Sequence, residues 1–197
     1  MKNLFKVFLV AAIFLVASCE KNSVSEDSGE LYASAKASPA AQQGDETIAG
    51  IVSSFAGAQE GKQFTLLLAA LNYAGITSMF AGSGQYTVFA PTDAAFETFL
   101  DGKALNAFTP EEVAAVLSYH VTDGRRFSNS VVPKNSPRGI KTLLGPSIYV
   151  DNSFGIDTND EDMEANAHIM VDAGLFDIAA SNGVIHVIDE VLVPATE

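Results

Sequence analysis

The apolar residues between positions 45 and 120 repeat with the period of an α-helix. The spacing i, i+3, i+4, i+7 predicts one helix over 47–55 and a second over 64–71. Gly75 follows the second run where a left-handed C-terminal cap is expected, because glycine adopts positive φ without steric cost. This half of the chain is therefore predicted to be mainly helical.

Two further helices are predicted from their capping residues. The run 86–91 indicates a short strand that ends at a proline, and Thr92 then stands as the N-cap of a helix. Thr109 and Glu112 form a capping-box pattern around a proline that suits the first helical position. The apolar stripe of this last helix ends at His120, so an imidazole is predicted on its apolar face.

Beyond position 131 the pattern changes to short runs rich in β-branched residues. The four runs are GIKTLL, SIYVDN, AHIMVDAGLFDIAA and GVIHVIDEVLV. The tripeptide SNG supplies a tight turn between the last two of them. Helices followed by strands predict an α+β domain in which several helices pack on a sheet.

The first 19 residues have the pattern of a bacterial lipoprotein signal. Lys2 and Lys6 flank the start of an apolar run over 4–16, which is shorter than the ~20 residues of a membrane-spanning helix. Leu-Val-Ala-Ser then leads to Cys19, the only cysteine, and this order closely resembles a lipobox. We therefore predict a signal peptide over 1–18 and a mature chain whose Cys19 sulfur carries lipid, because the thiolate is the nucleophile.

Composition divides the mature chain into a lipidated linker over 19–44 and one globular domain over 45–197. The linker is rich in Ser, Ala, Gly and charge, and it has too few large apolar residues to offset chain entropy. The whole chain has 24 acidic and 11 basic residues, for a net charge of -13. Such a surface repels phosphate backbones, which argues against nucleic acid as a partner. Attachment to a membrane is therefore assigned to the acyl chains.

Three segments of the domain resemble the signatures of the fasciclin-like, or FAS1, family. YTVFAPTDAAF resembles the first signature, with a strand, Ala-Pro-Thr and then a helix. LSYH, which contains Tyr119 and His120, resembles the central tyrosine-histidine motif. ASNGVIHVIDEVLVP resembles the final signature, and the three segments occur in the family's order over about residues 45–195.

The resemblance implies a β-wedge surrounded by helices, and an extracellular or membrane-anchored module used in adhesion. We expect a non-catalytic protein on the cell envelope, at the outer membrane or exposed on the surface, that contacts a protein or polysaccharide partner. The family also implies a candidate partner contact at Asp177 and Ile178, since a similar Asp-Ile pair in animal members is linked to integrin recognition. Local structure is the favoured role of this pair. The predicted binding face includes Tyr119 beside it.

Several motif residues are predicted to stabilise the fold. His120 and His186 lie in apolar patterns, where a buried imidazole requires a hydrogen-bond partner. Thr92 and Asp93 are candidate partners of His120. Asn182 and Gly183 belong to the final signature, and they are expected to form part of the turn before the last strand. A role for His120 as a base or ligand is the alternative.

The sequence has no pattern that specifies a metal, cofactor or catalytic group. Three scattered histidines without a free cysteine do not make a zinc site. Asp157, Asn159 and Glu161 match positions 1, 3 and 5 of a calcium loop, but the required glycine and final glutamate are absent. A solvated hairpin tip is preferred there, with weak calcium binding as the alternative. A carrier of an apolar pigment or lipid remains the second functional hypothesis, and a hydrolase the third.

Overall fold

The structure is a computed structural model that describes residues 44–59, 61–159 and 164–194. The predicted signal peptide, Cys19 and the linker as far as residue 43 lie outside the described residues. Within the described part of the chain, no helix has both the length and the apolar character needed to cross a membrane.

The predicted helices are present, and the two with predicted N-caps begin after Thr92 and Thr109 as expected. The helices are α1 Ile48–Gly57, α2 Thr65–Tyr73, α3 Thr77–Ala81, α4 Asp93–Leu100, α5 Pro110–Tyr119 and α6 Ser128–Val131. The Thr109 side chain accepts from the Glu112 N–H while the Glu112 carboxylate accepts from the Thr109 N–H, which completes the capping box. Gly75 adopts φ 71° after α2, as expected for a left-handed cap. The short helices α3 and α6 were not predicted.

The strands form two four-stranded sheets. The strands are β1 Tyr86–Pro91, β2 Val121–Asp123, β3 Arg138–Lys141, β4 Ser147–Val150, β5 Gly155–Asp157, β6 Ala167–His168, β7 Ile178–Ala180 and β8 Gly183–Ile188. The first sheet has the order β2-β1-β8-β7 and the second has the order β3-β4-β5-β6. Only β1 and β8, among these strands, pair in parallel. The α+β architecture predicted from the sequence is therefore correct.

One predicted strand is two strands in different sheets. The pattern over 167–180 predicts one β-rich run, but β6 belongs to the second sheet and β7 to the first. Between them Gly174 and Asp177 both have positive φ, at 70° and 55°, which breaks the extended backbone. Strands β2 and β5, at three residues each, were too short for periodicity to reveal.

The central strands of the first sheet, β1 and β8, are buried on both faces. Val88 and Ala90 of β1 pack with the helices, whereas Phe89 between them packs with the second sheet. Because alternate residues of a strand point to opposite faces, a strand between two cores must be apolar throughout. This explains the continuous apolar runs of β1 and β8 and places their few polar side chains, including His186, inside the protein.

Candidate functional site

The turn before β8 is held by the side chain of Asn182. Its Oδ1 accepts from the Ile48 N–H at 2.8 Å, and its Nδ2 donates to the Phe80 carbonyl at 2.7 Å and the Gly82 carbonyl at 2.8 Å. One amide therefore joins the start of α1, the end of α3 and the β7–β8 turn. The side chain is buried, so these bonds lie away from water.

Gly183 allows β8 to approach β1. A Cβ atom added at this position would lie 2.1 Å from the Tyr86 carbonyl oxygen, well inside van der Waals contact. The position pairs with Tyr86 at the start of the parallel ladder. Only glycine therefore fits there without displacing backbone.

His120 is bonded to partners other than those predicted. Its Nδ1 donates to the Val116 carbonyl at 2.7 Å, and its Nε2 accepts from the Leu192 N–H at 2.9 Å. The prediction that Thr92 and Asp93 are its partners is wrong. Thr92 instead accepts from the Ala95 N–H as the N-cap of α4, and Asp93 accepts from the Leu66 N–H at the start of α2.

The His120 ring is neutral at physiological pH. Burial lowers its pKa from 6.5 to about 4, and the hydrogen bond to the Val116 carbonyl opposes that shift only in part. Because Nδ1 carries the proton, Nε2 can accept from the backbone and fasten the C-terminal segment to the end of α5. The side chain is 2% exposed and does not reach a surface where a substrate or ligand would bind.

Tyr119 does not belong to an exposed face. Its side chain is fully buried, and its hydroxyl lies 3.1 Å from the Ser147 carbonyl and 3.3 Å from the Thr158 carbonyl. The pKa of Tyr119 is raised to about 12, mainly by burial. The negative charge of Asp157 and the nearby Tyr149 raise it further. The predicted partner contact at Tyr119 is wrong for this reason: its hydroxyl and ring are both inside the fold.

Asp177 caps α6 instead of facing solvent. Its Oδ1 accepts from the Ser128 N–H at 2.6 Å and its Oδ2 accepts from the Ser128 hydroxyl at 2.5 Å. The side chain is buried, which agrees with the favoured role in local structure and contradicts the alternative of a partner contact at Asp177. Ile178, the next residue, is half-buried against the helical core, and a contribution of its remaining surface to binding stays a prediction.

His186 fixes the segment that leads into α6. Its Nε2 donates to the Arg126 carbonyl at 2.9 Å and its Nδ1 accepts from the Asp177 N–H at 3.3 Å. Burial lowers the pKa of His186, with the Arg126 carbonyl and the Asp177 carboxylate acting in the opposite direction. The ring also stacks on Phe89 with centroids 5.7 Å apart.

Ser128, Asp177 and His186 lie together but are not arranged for nucleophilic catalysis. A serine nucleophile requires its hydroxyl to donate to an imidazole that removes the proton. Here the Ser128 hydroxyl donates directly to the Asp177 carboxylate, and both His186 ring nitrogens face backbone groups. The cluster positions a loop and a helix end.

These buried groups support a basic segment that the sequence reasoning missed. Thr87 Oγ1 donates to the Gly124 carbonyl and accepts from the Arg126 N–H, so the segment is held from β1 as well as from His186. Between Gly124 and Val150 the chain has five basic residues and no carboxylate. That charge pattern was visible in the sequence, although the overall negative charge obscured it.

The acidic loop begins with a buried residue. Asp157 is 2% exposed, its Oδ1 accepts from the Asn159 N–H at 3.1 Å, and its Oδ2 has no hydrogen-bond partner among the described atoms. Glu161 lies outside the described residues. The described residues contain no group of three histidine, cysteine, aspartate or glutamate side chains that could hold a metal ion. Calcium binding stays a prediction.

The fold and site define a small α+β domain whose polar motif residues are used to organise loops around two cores. The chain belongs to the fasciclin family: the sequence model of the Fasciclin domain matches residues 62–194. A solved FAS1 domain pair from the insect cell adhesion molecule Fasciclin I has a TM-score of 0.57 at 15% identity. That match covers 76% of this chain and 51% of the insect chain, and it shows the fold alone.

Curated relatives extend from animals to cyanobacteria. Transforming growth factor-beta-induced protein ig-h3 of Sus scrofa is 33% identical over 133 residues, which is 67% of this chain and 18% of the pig protein. Protein sll1483 of Synechocystis is 29% identical over 168 residues and is matched over 84% of both chains. The chain therefore spans a small part of the animal protein and most of the cyanobacterial one.

Proposed function

We propose that this protein is a lipid-anchored, non-catalytic binding module of the cell envelope that contacts a protein or polysaccharide partner. The lipid is attached at Cys19, and the linker up to residue 44 separates the folded domain from the membrane. The site of action is the outer membrane, with the domain presented at the surface. Membrane attachment raises local concentration, so modest contacts at one face suffice for adhesion.

One structural observation carries this proposal. The polar residues of the family motifs, namely His120, Asp177, Asn182 and His186, are buried and bonded within the chain. They shape loops and present no reacting group to solvent.

One cavity in the helical core is too small for a carried ligand. Among the described residues, the space between α1, α2, β1 and His120 has a volume of about 10 Å³. This is about what one water needs, whereas a site for a small organic ligand measures roughly 300–1,000 Å³. The hypothesis of an apolar carrier therefore has no support from this cavity.

Lipid anchoring is tested by cell fractionation of wild type and Cys19→Ala. We expect the wild-type chain in the membrane fraction after a high-salt wash and the variant outside it, because each buried acyl methylene contributes ~0.8 kcal/mol. Ser18→Ala, one residue away, is the matched control and should fractionate with wild type. Complete retention of Cys19→Ala in membranes would refute the anchor.

Binding without turnover is tested on the purified full chain with two assays. One measures hydrolysis of ester, glycoside and peptide reporters, and the other measures retention on envelope proteins and extracted polysaccharides. We expect saturable retention and no turnover. Saturable hydrolysis that disappears on replacing one polar residue, with no retention on any surface, would overturn the proposal.

A further inference from the structure

The basic residues of the folded domain are concentrated in one segment. Arg125, Arg126, Lys134, Arg138 and Lys141 occur within residues 124–150, which contain no carboxylate, in a chain of net charge -13. Charges separated by more than the Debye length of ~8 Å at physiological salt are largely screened from one another. Because residues 124–150 themselves contain no carboxylate, a ligand bound there meets a locally positive stretch of the chain.

A cleft lies within this segment, between α6 and β3. It is open to solvent and has a volume of about 480 Å³. Its lining residues are Asn129, Val132, Pro133, Lys134, Asn135, Ser136, Pro137 and Arg138. The lining thus combines two cations with amide and hydroxyl groups, above the half-buried Val132 and Pro133.

The cleft is held in shape before any ligand binds. The Arg138 guanidinium donates through Nη1 to the Ser130 carbonyl, which ties β3 to α6. Pro133 and Pro137 each have a fixed φ, and they enclose the exposed residues between them. At the other end of α6, Asp177 holds Ser128. A loop that is already ordered loses less conformational entropy when it binds.

Both cations of the cleft are available to an anion. Among the described residues, no carboxylate lies within ion-pair distance of Lys134 or Arg138. A guanidinium presents five N–H donors in a planar fork, so the bond to Ser130 leaves further donors to bind a carboxylate or sulfate. The lysine ammonium adds a point charge, and Asn129, Asn135 and Ser136 suit the hydroxyl groups of a sugar.

We propose that this cleft binds an anionic polysaccharide through the carboxylate or sulfate groups on its sugars. The proposal rests on the proposed function and names the chemistry of the partner. A protein partner fits less well, because the lining has no tryptophan or tyrosine, the aromatic side chains in which the hot spots of protein interfaces are enriched. A nucleic acid or an anionic bilayer presents dense charge over a wide area and meets repulsion from the acidic remainder of the surface.

The test measures binding of the purified full chain, in detergent, to beads carrying defined polymers. Polygalacturonate supplies carboxylates, dextran sulfate supplies sulfates, and dextran is the neutral reference. Lys134→Glu/Arg138→Glu reverses both charges of the cleft. Lys62→Glu/Lys103→Glu is the matched control, because both of its lysines are exposed and lie outside the basic segment.

We expect binding to at least one anionic polymer and none to dextran. The cleft variant should bind about tenfold more weakly or worse, and the control within about twofold of wild type. Circular dichroism melts verify folding, and Lys134→Gln/Arg138→Gln replaces the cleft variant if the charge reversal does not fold. Preference between polygalacturonate and dextran sulfate identifies the anionic group.

Three results would overturn the proposal: no binding to either anionic polymer, an equal loss in the control, or equal binding to duplex DNA or to vesicles of anionic lipid. Retention of the wild-type chain on envelope proteins with no binding to either anionic polymer would refute the cleft assignment and leave the proposed function standing. Retention on no protein or polysaccharide would refute both.

Discussion

The buried imidazole of His120 should make the folded domain less stable as the pH falls. An unfolded histidine takes up a proton near pH 6.5, whereas folded His120 does so only near 4. Between those values the unfolded state binds more protons, so acidification favours unfolding. The stability associated with neutral His120 is fully present above pH 6.5 and is lost progressively as the pH falls towards 4.

The size of this effect follows from the difference between the two pKa values. Lowering the pH from about 7.5 to about 4.5 should remove about 2.5 kcal/mol of unfolding free energy through His120 alone. His120→Gln cannot gain a proton in this range. It should be about 1–3 kcal/mol less stable than wild type at the higher pH, because the Leu192 N–H and the Val116 carbonyl lose well-placed partners.

The assay is urea unfolding followed by far-UV circular dichroism, since the chain has no tryptophan. Between about pH 7.5 and about pH 4.5, the unfolding free energy of wild type should fall by about 2.5 kcal/mol more than that of His120→Gln. The matched control is Gly57→Ala, which changes no titratable group and adds a Cβ with nothing within 4 Å, so its curve should run parallel to that of wild type.

Parallel curves for wild type and His120→Gln would refute the reasoning. If the variant does not fold, the ring protons of His120 in the wild-type protein provide the test by NMR. Their chemical shifts should stay constant down to about pH 5.5, and a titration midpoint near 6.5 would refute the lowered pKa.

Three further predictions concern the turn before β8 and the acidic loop. Asn182→Ala should lower the free energy of unfolding, measured in urea, by about 2–4 kcal/mol, because three buried backbone groups lose their partner. A decrease below about 1 kcal/mol would contradict this role. Gly183→Ala should lower the free energy of unfolding by at least about 2–3 kcal/mol. Gly57→Ala, whose added Cβ has nothing within 4 Å, is the control and should leave it nearly unchanged. Equal effects of the two substitutions would count against the close approach of β8 to β1. Millimolar calcium should leave the melting temperature unchanged, and a rise of several degrees reversed by EDTA would establish a site in the loop 157–168.

The sequence predicts the helices well because their signals are local. The capping box at Thr109 and the cap at Thr92 involve residues three positions apart, and each gives the observed helix start. Strands β2 and β5 are not predicted, because three residues are too few to show the alternation of a strand. Their existence depends on pairing with distant strands.

The roles of the motif residues depend on contacts that the sequence does not display. The apolar stripe predicts that His120 is buried, but its partner Leu192 lies 72 residues away and the candidate partners Thr92 and Asp93 are wrong. Local structure is the predicted role of Asp177, but the sequence does not show that it caps a short helix 49 residues earlier in the chain. The basic segment was readable from charge alone, whereas its cleft required the packing of α6 beside β3.

Hydrogen–deuterium exchange of the full chain, with and without polysaccharide extracted from its native envelope, tests the central claim most directly. The claim is that partners meet the surface over 124–141, while His120, Asn182 and His186 support the fold. We predict protection over 124–141 and unchanged exchange around the three buried residues. No protection anywhere, or protection confined to the segments around His120 and β8, would contradict the account.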